Sequence, residues 1–95
     1  MLISKGLSVG DVVSIKLISG EEIIARLEEE STEKIKLYKP LTVSLGPSGL
    51  GMIPFVFLSA SDNVEIKTSH IITMSMAKKD AADQYIQGTT GIKIV

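Results

Sequence analysis

Alternation of apolar and polar residues dominates the first third of the chain. Every second residue is apolar over positions 13–17, and the same alternation returns over positions 23–27. A period of two is typical of a strand with one buried face. With Gly20 between the two runs, "LISGEEIIARL" predicts a β-hairpin closed by a short turn. Ile18 and Ile24 fall on the otherwise polar face, where we expect a cross-strand pair.

Three more strands are predicted between Lys34 and Met76. The third begins near Lys34, and Pro40 marks a bend or bulge within it. The glycine-rich stretch at 46–51 predicts a loop, and "MIPFVFLSA" predicts a fourth strand that "NVEIK" continues or resumes. "IITMSM" is the fifth strand. Five short strands on one small sheet must curl to cover both faces, so we expect a mainly β fold built as a small, strongly bent antiparallel barrel.

The tail carries a different pattern. Apolar residues recur at helical spacing through "AKKDAADQYIQ", which predicts a short C-terminal helix packed on the barrel or on a neighbour. Gly88 is the predicted stop of that helix. The chain then forms one domain, with the barrel at about 11–76 and the helix and tail at about 77–95. The helical positions are Ala77, Ala81, Ala82, Tyr85 and Ile86.

Composition narrows the classes of protein that fit. The 95 residues suit one domain, and the absence of cysteine excludes disulfides and thiolate metal sites. No signal peptide is recognised and the longest apolar run, 52–58, is too short to span a bilayer as a helix, so we expect a soluble, cytoplasmic protein. The net charge of −1 requires any RNA site to be local. The 44% hydrophobic content is high for so small a domain and suggests burial against another chain.

The sequence offers few groups for catalysis. His70 is the only histidine, and its neighbour Ser69 points the other way in an extended chain. The acidic run at 28–30 lacks the spaced oxygen ligands and turn glycine of a calcium loop, and a solvated strand end explains it better. The glycine-rich stretch at 46–51 lacks the lysine of a phosphate-binding loop. We therefore predict a non-enzymatic protein without a metal or other cofactor.

Two segments of the chain, at 12–37 and at 66–74, each resemble a known sequence motif. Positions 12–37 resemble the first Sm motif, with a Leu-x-x-Gly turn followed by apolar-x-small-x-Leu. "IKTSHIITM", at 66–74, is similar to the second Sm motif, with Lys67 and Thr68 at the usual Arg-Gly positions. Together the two segments span roughly 12–76 and resemble the Sm-like protein family. More narrowly, the chain resembles phage-encoded Sm-like proteins of cyanophage origin.

The resemblance implies a five-stranded Sm-like (SH3-like) barrel that assembles into a homo-oligomeric ring of about five to seven subunits. The fourth strand of one subunit would pair with the fifth strand of the next, and single-stranded RNA would bind near the central pore. The interface residues implied are Met52, Ile53, Phe55, Val56, Phe57, Leu58, Ile71, Ile72 and Met74. The RNA-binding residues implied at the pore are Lys34, Lys67, Thr68, Ser69 and His70.

The departures from the family pattern leave a second interpretation open. Glu33 lies near the position where the family carries a base-stacking side chain, and a carboxylate offers no π-face. Lys67 replaces an arginine and lacks the planar fork that arginine uses for bidentate contacts. The chain could therefore be an RNA-binding ring, or a ring-forming structural or protein-interaction scaffold of phage origin that has lost the base-binding pocket.

Overall fold

The structure, a computed structural model, describes residues 2–3 and 6–90. It is mainly β with one C-terminal helix, as predicted. A single turn of 3-10 helix at Thr68–His70 precedes the last strand. The strands are β1 (Leu2–Ile3), β2 (Val12–Leu17), β3 (Glu22–Glu30), β4 (Lys34–Gly46), β5 (Gly49–Pro54), β6 (Asn63–Lys67) and β7 (Ile71–Met76), and the helix is α1 (Lys79–Thr90).

All seven described strands belong to one sheet. Its order is β1-β7-β2-β3-β4-β5, and β6 also pairs with β4. All the pairings are antiparallel except that of β1 with β7. β4 is long enough for β5 to pair with its second half, through Leu41 to Gly46, and for β6 to pair with its first half, through Lys34 to Tyr38. Within the described residues β5 and β6 pair only with β4, so the sheet is open.

The alternating residues of the first hairpin form the centre of the core, as their period predicts. Ser14 pairs with Ile24 and Ile15 with Ile23, and the odd-numbered positions 13–17 of β2 and 23–27 of β3 lie on the inner face. β4, β6 and β7 complete this core from the other side. The buried cluster is Val13, Ile15, Leu17, Ile23, Ala25, Leu27, Ile35, Leu37, Ile66, Ile71 and Met74.

The expected pair of Ile18 with Ile24 is wrong. β2 ends at Leu17, so Ile18 lies in the turn and its side chain is 61% exposed. Ile24 is buried on the second face of the sheet, opposite Ser14 on one side and Leu41 on the other. The geometry of the turn places Ile18 outside the β2–β3 ladder, and the apolar pattern alone does not specify that geometry.

The predicted irregularity at Pro40 is a β-bulge. Between two successive pairs, Ile24 with Leu41 and Arg26 with Tyr38, β4 contains the two residues Lys39 and Pro40 where β3 contains one. Lys39 has a φ of 45°, in the left-handed region that most residues avoid. An extra residue in one strand bends it and increases its local twist. The two halves of β4 therefore run in different directions, and each half pairs with a different strand, β6 before the bulge and β5 after it.

The predicted fourth strand is shorter than expected and is interrupted. β5 ends at Pro54, and the chain does not return to strand until Asn63. The Phe55 N–H donates to the Pro40 carbonyl at 3.0 Å, and the Lys39 N–H donates to the Asp62 carbonyl at 2.7 Å. Residues 55–62 therefore form a loop whose two ends are fastened to the bulge of β4, and we call this segment the apolar loop.

The sheet consequently has seven described strands where five were predicted. The interruption separates β5 from β6, and the two-residue β1 adds the seventh. The glycine-rich loop is also smaller than predicted, because β4 and β5 extend into it until only Pro47 and Ser48 remain between them. Gly49 makes this tight hairpin possible, since its φ of 114° strains a residue with a side chain.

The C-terminal helix packs against the second face of the sheet. Tyr85 is fully buried, and its hydroxyl accepts a hydrogen bond from the Arg26 N–H at 3.1 Å and donates one to the Tyr38 carbonyl. The Lys39 ammonium donates to the Thr89 carbonyl at 3.0 Å, near the helix end whose dipole favours a cation. The predicted stop at Gly88 is wrong, because α1 continues through it to Thr90.

Candidate functional site

Two loops predicted to line one site lie side by side. The Thr68 N–H donates to the Glu33 carbonyl at 2.9 Å, and the Thr68 hydroxyl donates to the Thr32 carbonyl at 2.8 Å. The first loop is itself ordered by Ser31, whose N–H and hydroxyl both donate to the Lys34 carbonyl at 2.9 Å. These contacts hold the turn between β3 and β4 against the 3-10 turn before β7. We call the two together the paired loops.

The two predicted lysines are also neighbours. Lys34 begins β4 and Lys67 ends β6, and the antiparallel register places them opposite each other. Both side chains are exposed. The Lys34 ammonium lies 3.1 Å from a carboxylate oxygen of Glu65, which offsets part of its charge. The structure thus brings Lys34, Lys67 and Thr68 together at one end of the β4–β6 ladder, with one acidic partner among them.

His70 extends the same region toward the first hairpin. It is the last residue of the 3-10 turn, and its carbonyl accepts a hydrogen bond from the Ile18 N–H at 2.9 Å. Its side chain is exposed and, together with Lys67, borders a groove of about 520 Å³. The rest of the groove is lined by Leu17, Ile18, Ser19, Glu21, Phe55, Val64, Glu65 and Ile66.

The groove combines an apolar floor with polar groups at its rim. Leu17 and Ile66 are buried core residues, while Phe55 is half-buried and packs against the core. Lys67, His70, Glu21 and Glu65 are also among the lining residues. The groove is therefore mainly apolar and is bordered by residues of both charge signs. Within the described residues, no three His, Asp or Glu side chains are placed to share a metal ion.

The predicted interface residues fall into two groups. Ile71 and Met74 are buried within their own chain, so their burial requires no neighbour, while Met52 and Phe55 are half-buried. The remaining five are exposed, and Leu58 is almost completely so at 98%. Three of these five are consecutive in the apolar loop. The exposed residues are Ile53, Val56, Phe57, Leu58 and Ile72.

Sequence reasoning missed two residues that shape this region. Ile18 lines the groove, as does the predicted interface residue Phe55, and Lys39 fastens the apolar loop to β4 through its backbone. Ile18 carried a usable signal, since an apolar residue on the polar face of a strand next to a turn often meets another part of the chain. The role of Lys39 had no such signal, because its φ depends on the bulge.

Comparison of the chain with protein-family models and with curated protein sequences finds no match. Within the described residues, no helix is long and apolar enough to cross a membrane.

Proposed function

We propose that this protein is a non-enzymatic Sm-like protein that assembles into a homo-oligomeric ring and binds single-stranded RNA at the paired loops. The observation that carries the proposal is the hydrogen bonding of Thr68 to Thr32 and Glu33, which joins the two loops predicted to line one RNA site. The strand order is compatible with a ring. β7 lies at one end of the β7-β2-β3-β4 path, and β6 pairs with β4 at the other end. A strand from one copy can therefore pair with a strand of the next.

Ring closure accounts for the exposed apolar surface. Phe57 is 71% exposed and Leu58 is 98% exposed in the single chain. Burying one such side chain contributes about 1.5–3 kcal/mol. An unpaired strand edge beside exposed apolar residues also invites further pairing, and a closed ring gives every such edge a partner. The outer edge of β6 pairs with nothing within the described residues, and the apolar loop leads directly into that strand.

Assembly also explains how a chain with a net charge of −1 could attract the phosphates of RNA. In one chain, Lys34 is partly offset by Glu65, and Lys67 and His70 supply the rest of the local donors. A ring repeats this group around a common axis, so a modest local charge becomes a continuous patch. RNA held in this way is contacted mainly through phosphate, with little base discrimination.

The ring is tested by sedimentation equilibrium. We expect a single closed species of about five to seven subunits, a range that comes from the family resemblance alone. Leu58→Lys places a charge on the apolar loop, and we expect it to reduce assembly while leaving the circular dichroism of the dilute chain unchanged. Ser48→Lys, in the exposed β4–β5 turn, adds the same charge elsewhere and should assemble normally. A wild-type chain that stays a folded monomer would contradict the ring.

RNA binding is tested by fluorescence anisotropy with a labelled single-stranded oligonucleotide at two salt concentrations. Affinity should fall steeply with salt. Lys67→Ala should lower the affinity and, because one ammonium neutralises one phosphate, should reduce the salt slope by about 0.7 for each subunit whose Lys67 contacts the RNA. Lys79→Ala removes the same charge from the helix, beyond the paired loops, and should bind as the wild type does. Equal weakening in both variants would indicate non-specific attraction and would contradict the site.

Glu33 provides a gain-of-function test. Glu33→Tyr adds an aromatic face to the paired loops and removes a charge that repels phosphate. If bases lie against this loop, RNA affinity should increase by up to the ~1–3 kcal/mol that stacking contributes per base. Glu33→Gln separates the two causes, because it removes the charge without adding a ring. Unchanged affinity in both variants would place RNA elsewhere.

The second candidate function is a ring that serves as a protein-interaction scaffold. The apolar loop favours it, because three consecutive apolar residues remain exposed on a segment fastened at both ends. Compact loops with closed ends frequently carry function. Under this alternative the wild-type ring would form while RNA titrations at low salt showed no binding.

A further inference from the structure

We propose that the outer edge of β7 has two competing occupants, the chain's own strand β1 and strand β6 of a second copy, so that β1 restrains assembly. The inference rests on the proposed ring and adds a means of controlling it.

The topology sets up the competition. One edge of β7 pairs with β2, from Val13 opposite Met76 to Leu17 opposite Ile71. On its other edge, Leu2 of β1 lies opposite Thr73 and Ile3 opposite Met74. A strand has only two hydrogen-bonding edges, so a strand from another chain must use the edge that β1 partly covers. Pairing with β1 and pairing with a neighbour along the centre of β7 are therefore mutually exclusive.

The segment at 7–11, shortly after β1 in the chain, is itself held in place. Leu7 packs against the core, and the Gly10 N–H donates to the Leu27 carbonyl at 2.7 Å, which holds this segment beside β3. Asp11 closes the same turn by accepting from the Ser8 N–H at 2.8 Å. A strand held by a linker this short has an effective concentration in the millimolar range. β1 therefore has the advantage over a neighbour present at micromolar concentration.

β1 is nevertheless a weak occupant. It supplies two residue pairs in parallel orientation, which is slightly less stable per residue than an antiparallel ladder. The competing β6 supplies five residues, Asn63–Lys67, and brings the apolar loop that precedes it. A neighbour can thus displace β1 once the protein concentration is high enough. The expected result is a concentration threshold for assembly that β1 sets.

The test changes the backbone of β1 without changing its length. Leu2→Pro with Ile3→Pro removes both N–H donors of the strand, whereas Leu2→Val with Ile3→Val keeps them and serves as the control. Sedimentation velocity from sub-micromolar to high-micromolar protein gives the assembly midpoint. We expect the proline variant to assemble at about tenfold lower concentration, since it forgoes only one or two modest backbone hydrogen bonds. A chain beginning at Gly6 tests the same point if the proline variant does not fold.

A second measurement reports on β1 directly. Thr73 and Met74 are adjacent in β7, so the N–H of one faces β1 and the N–H of the other faces β2. In dilute wild-type protein, the amide that faces β1 should exchange with solvent more slowly than in the proline variant, while the amide that faces β2 should exchange alike in both. Equal midpoints for the proline and valine variants, or weaker assembly of the proline variant, would overturn the inference and leave the ring intact. Absence of assembly in every variant at every concentration would overturn the ring and the inference together.

Discussion

The β3–β4 ladder contains the bulge, and the apolar loop is hydrogen-bonded to it at both ends. Apolar side chains are nevertheless buried in the ladder and exposed in the loop. In the ladder, Leu27 and Leu37 are buried, and the hydroxyl of the buried Tyr85 bonds to the Arg26 N–H and the Tyr38 carbonyl beside the bulge. In the loop, Val56, Phe57 and Leu58 are exposed although both loop ends are hydrogen-bonded. Backbone anchoring therefore does not ensure side-chain burial. The two segments differ in what packs against them. Among residues 2–3 and 6–90, other parts of the chain cover the ladder, whereas the side chains of Val56, Phe57 and Leu58 stay exposed.

Two matched leucines give the largest contrast. Leu27→Ala should lower the free energy of unfolding by about 2–5 kcal/mol, because it removes a packed side chain and leaves a cavity. Leu58→Ala should change the stability of the dilute chain by no more than about 0.5 kcal/mol, because that side chain is in solvent. Urea denaturation at low protein concentration measures both. A large destabilisation by Leu58→Ala would mean that the apolar loop packs within its own chain.

The hydroxyl of Tyr85 is the next largest expected effect. Tyr85→Phe keeps the ring but leaves the Arg26 N–H and the Tyr38 carbonyl without the group that joins them. An unsatisfied buried backbone group costs about 1–3 kcal/mol. We expect a destabilisation of that order in thermal or urea unfolding. Tyr38→Phe is the control, because Tyr38 contributes its backbone carbonyl to this bridge, and an equal destabilisation there would contradict the assignment.

The same residue predicts a dependence on alkaline pH. Burial raises the pKa of Tyr85, while its hydrogen bond with the Arg26 N–H opposes that rise. In the unfolded chain a tyrosine ionises near its ordinary value of about 10. The contribution of the protonated side chain is therefore fully present below that pH and is lost as the pH rises through the higher folded-state pKa. Urea midpoints should fall more steeply above about pH 10 for the wild type than for Tyr85→Phe, and parallel curves would contradict this explanation.

The smallest effect is expected at the Lys34–Glu65 ion pair. Both side chains are about half exposed, at 58% and 50%, so solvent screens the attraction. Glu65→Gln should change the free energy of unfolding by less than about 1 kcal/mol. Glu29→Gln, which breaks the comparable pair with Lys36, should behave alike. A destabilisation as large as that of Tyr85→Phe would show that the paired loops are part of the stabilising framework.

Part of the candidate site follows from the family resemblance. Lys34, Lys67 and Thr68 are among the RNA-binding residues that it implies, and the structure places these three close together, while their role in binding stays a prediction. The groove beside His70 was not predictable. Its walls come from the first hairpin, the start of the apolar loop and β6, which are far apart in sequence.

The sequence by itself determined the mainly β class, the inner face of β2 and β3, and the C-terminal helix. These features depend on local periodicity, which repeats every two or every 3.6 residues along one segment. Tertiary structure alone decided that β4 has two partner strands, that the fourth predicted strand is interrupted, and that β1 lies on the edge of β7. Each of these features depends on which backbone edge is left without a partner when the chain folds. The pattern of apolar residues along the chain does not specify those edges.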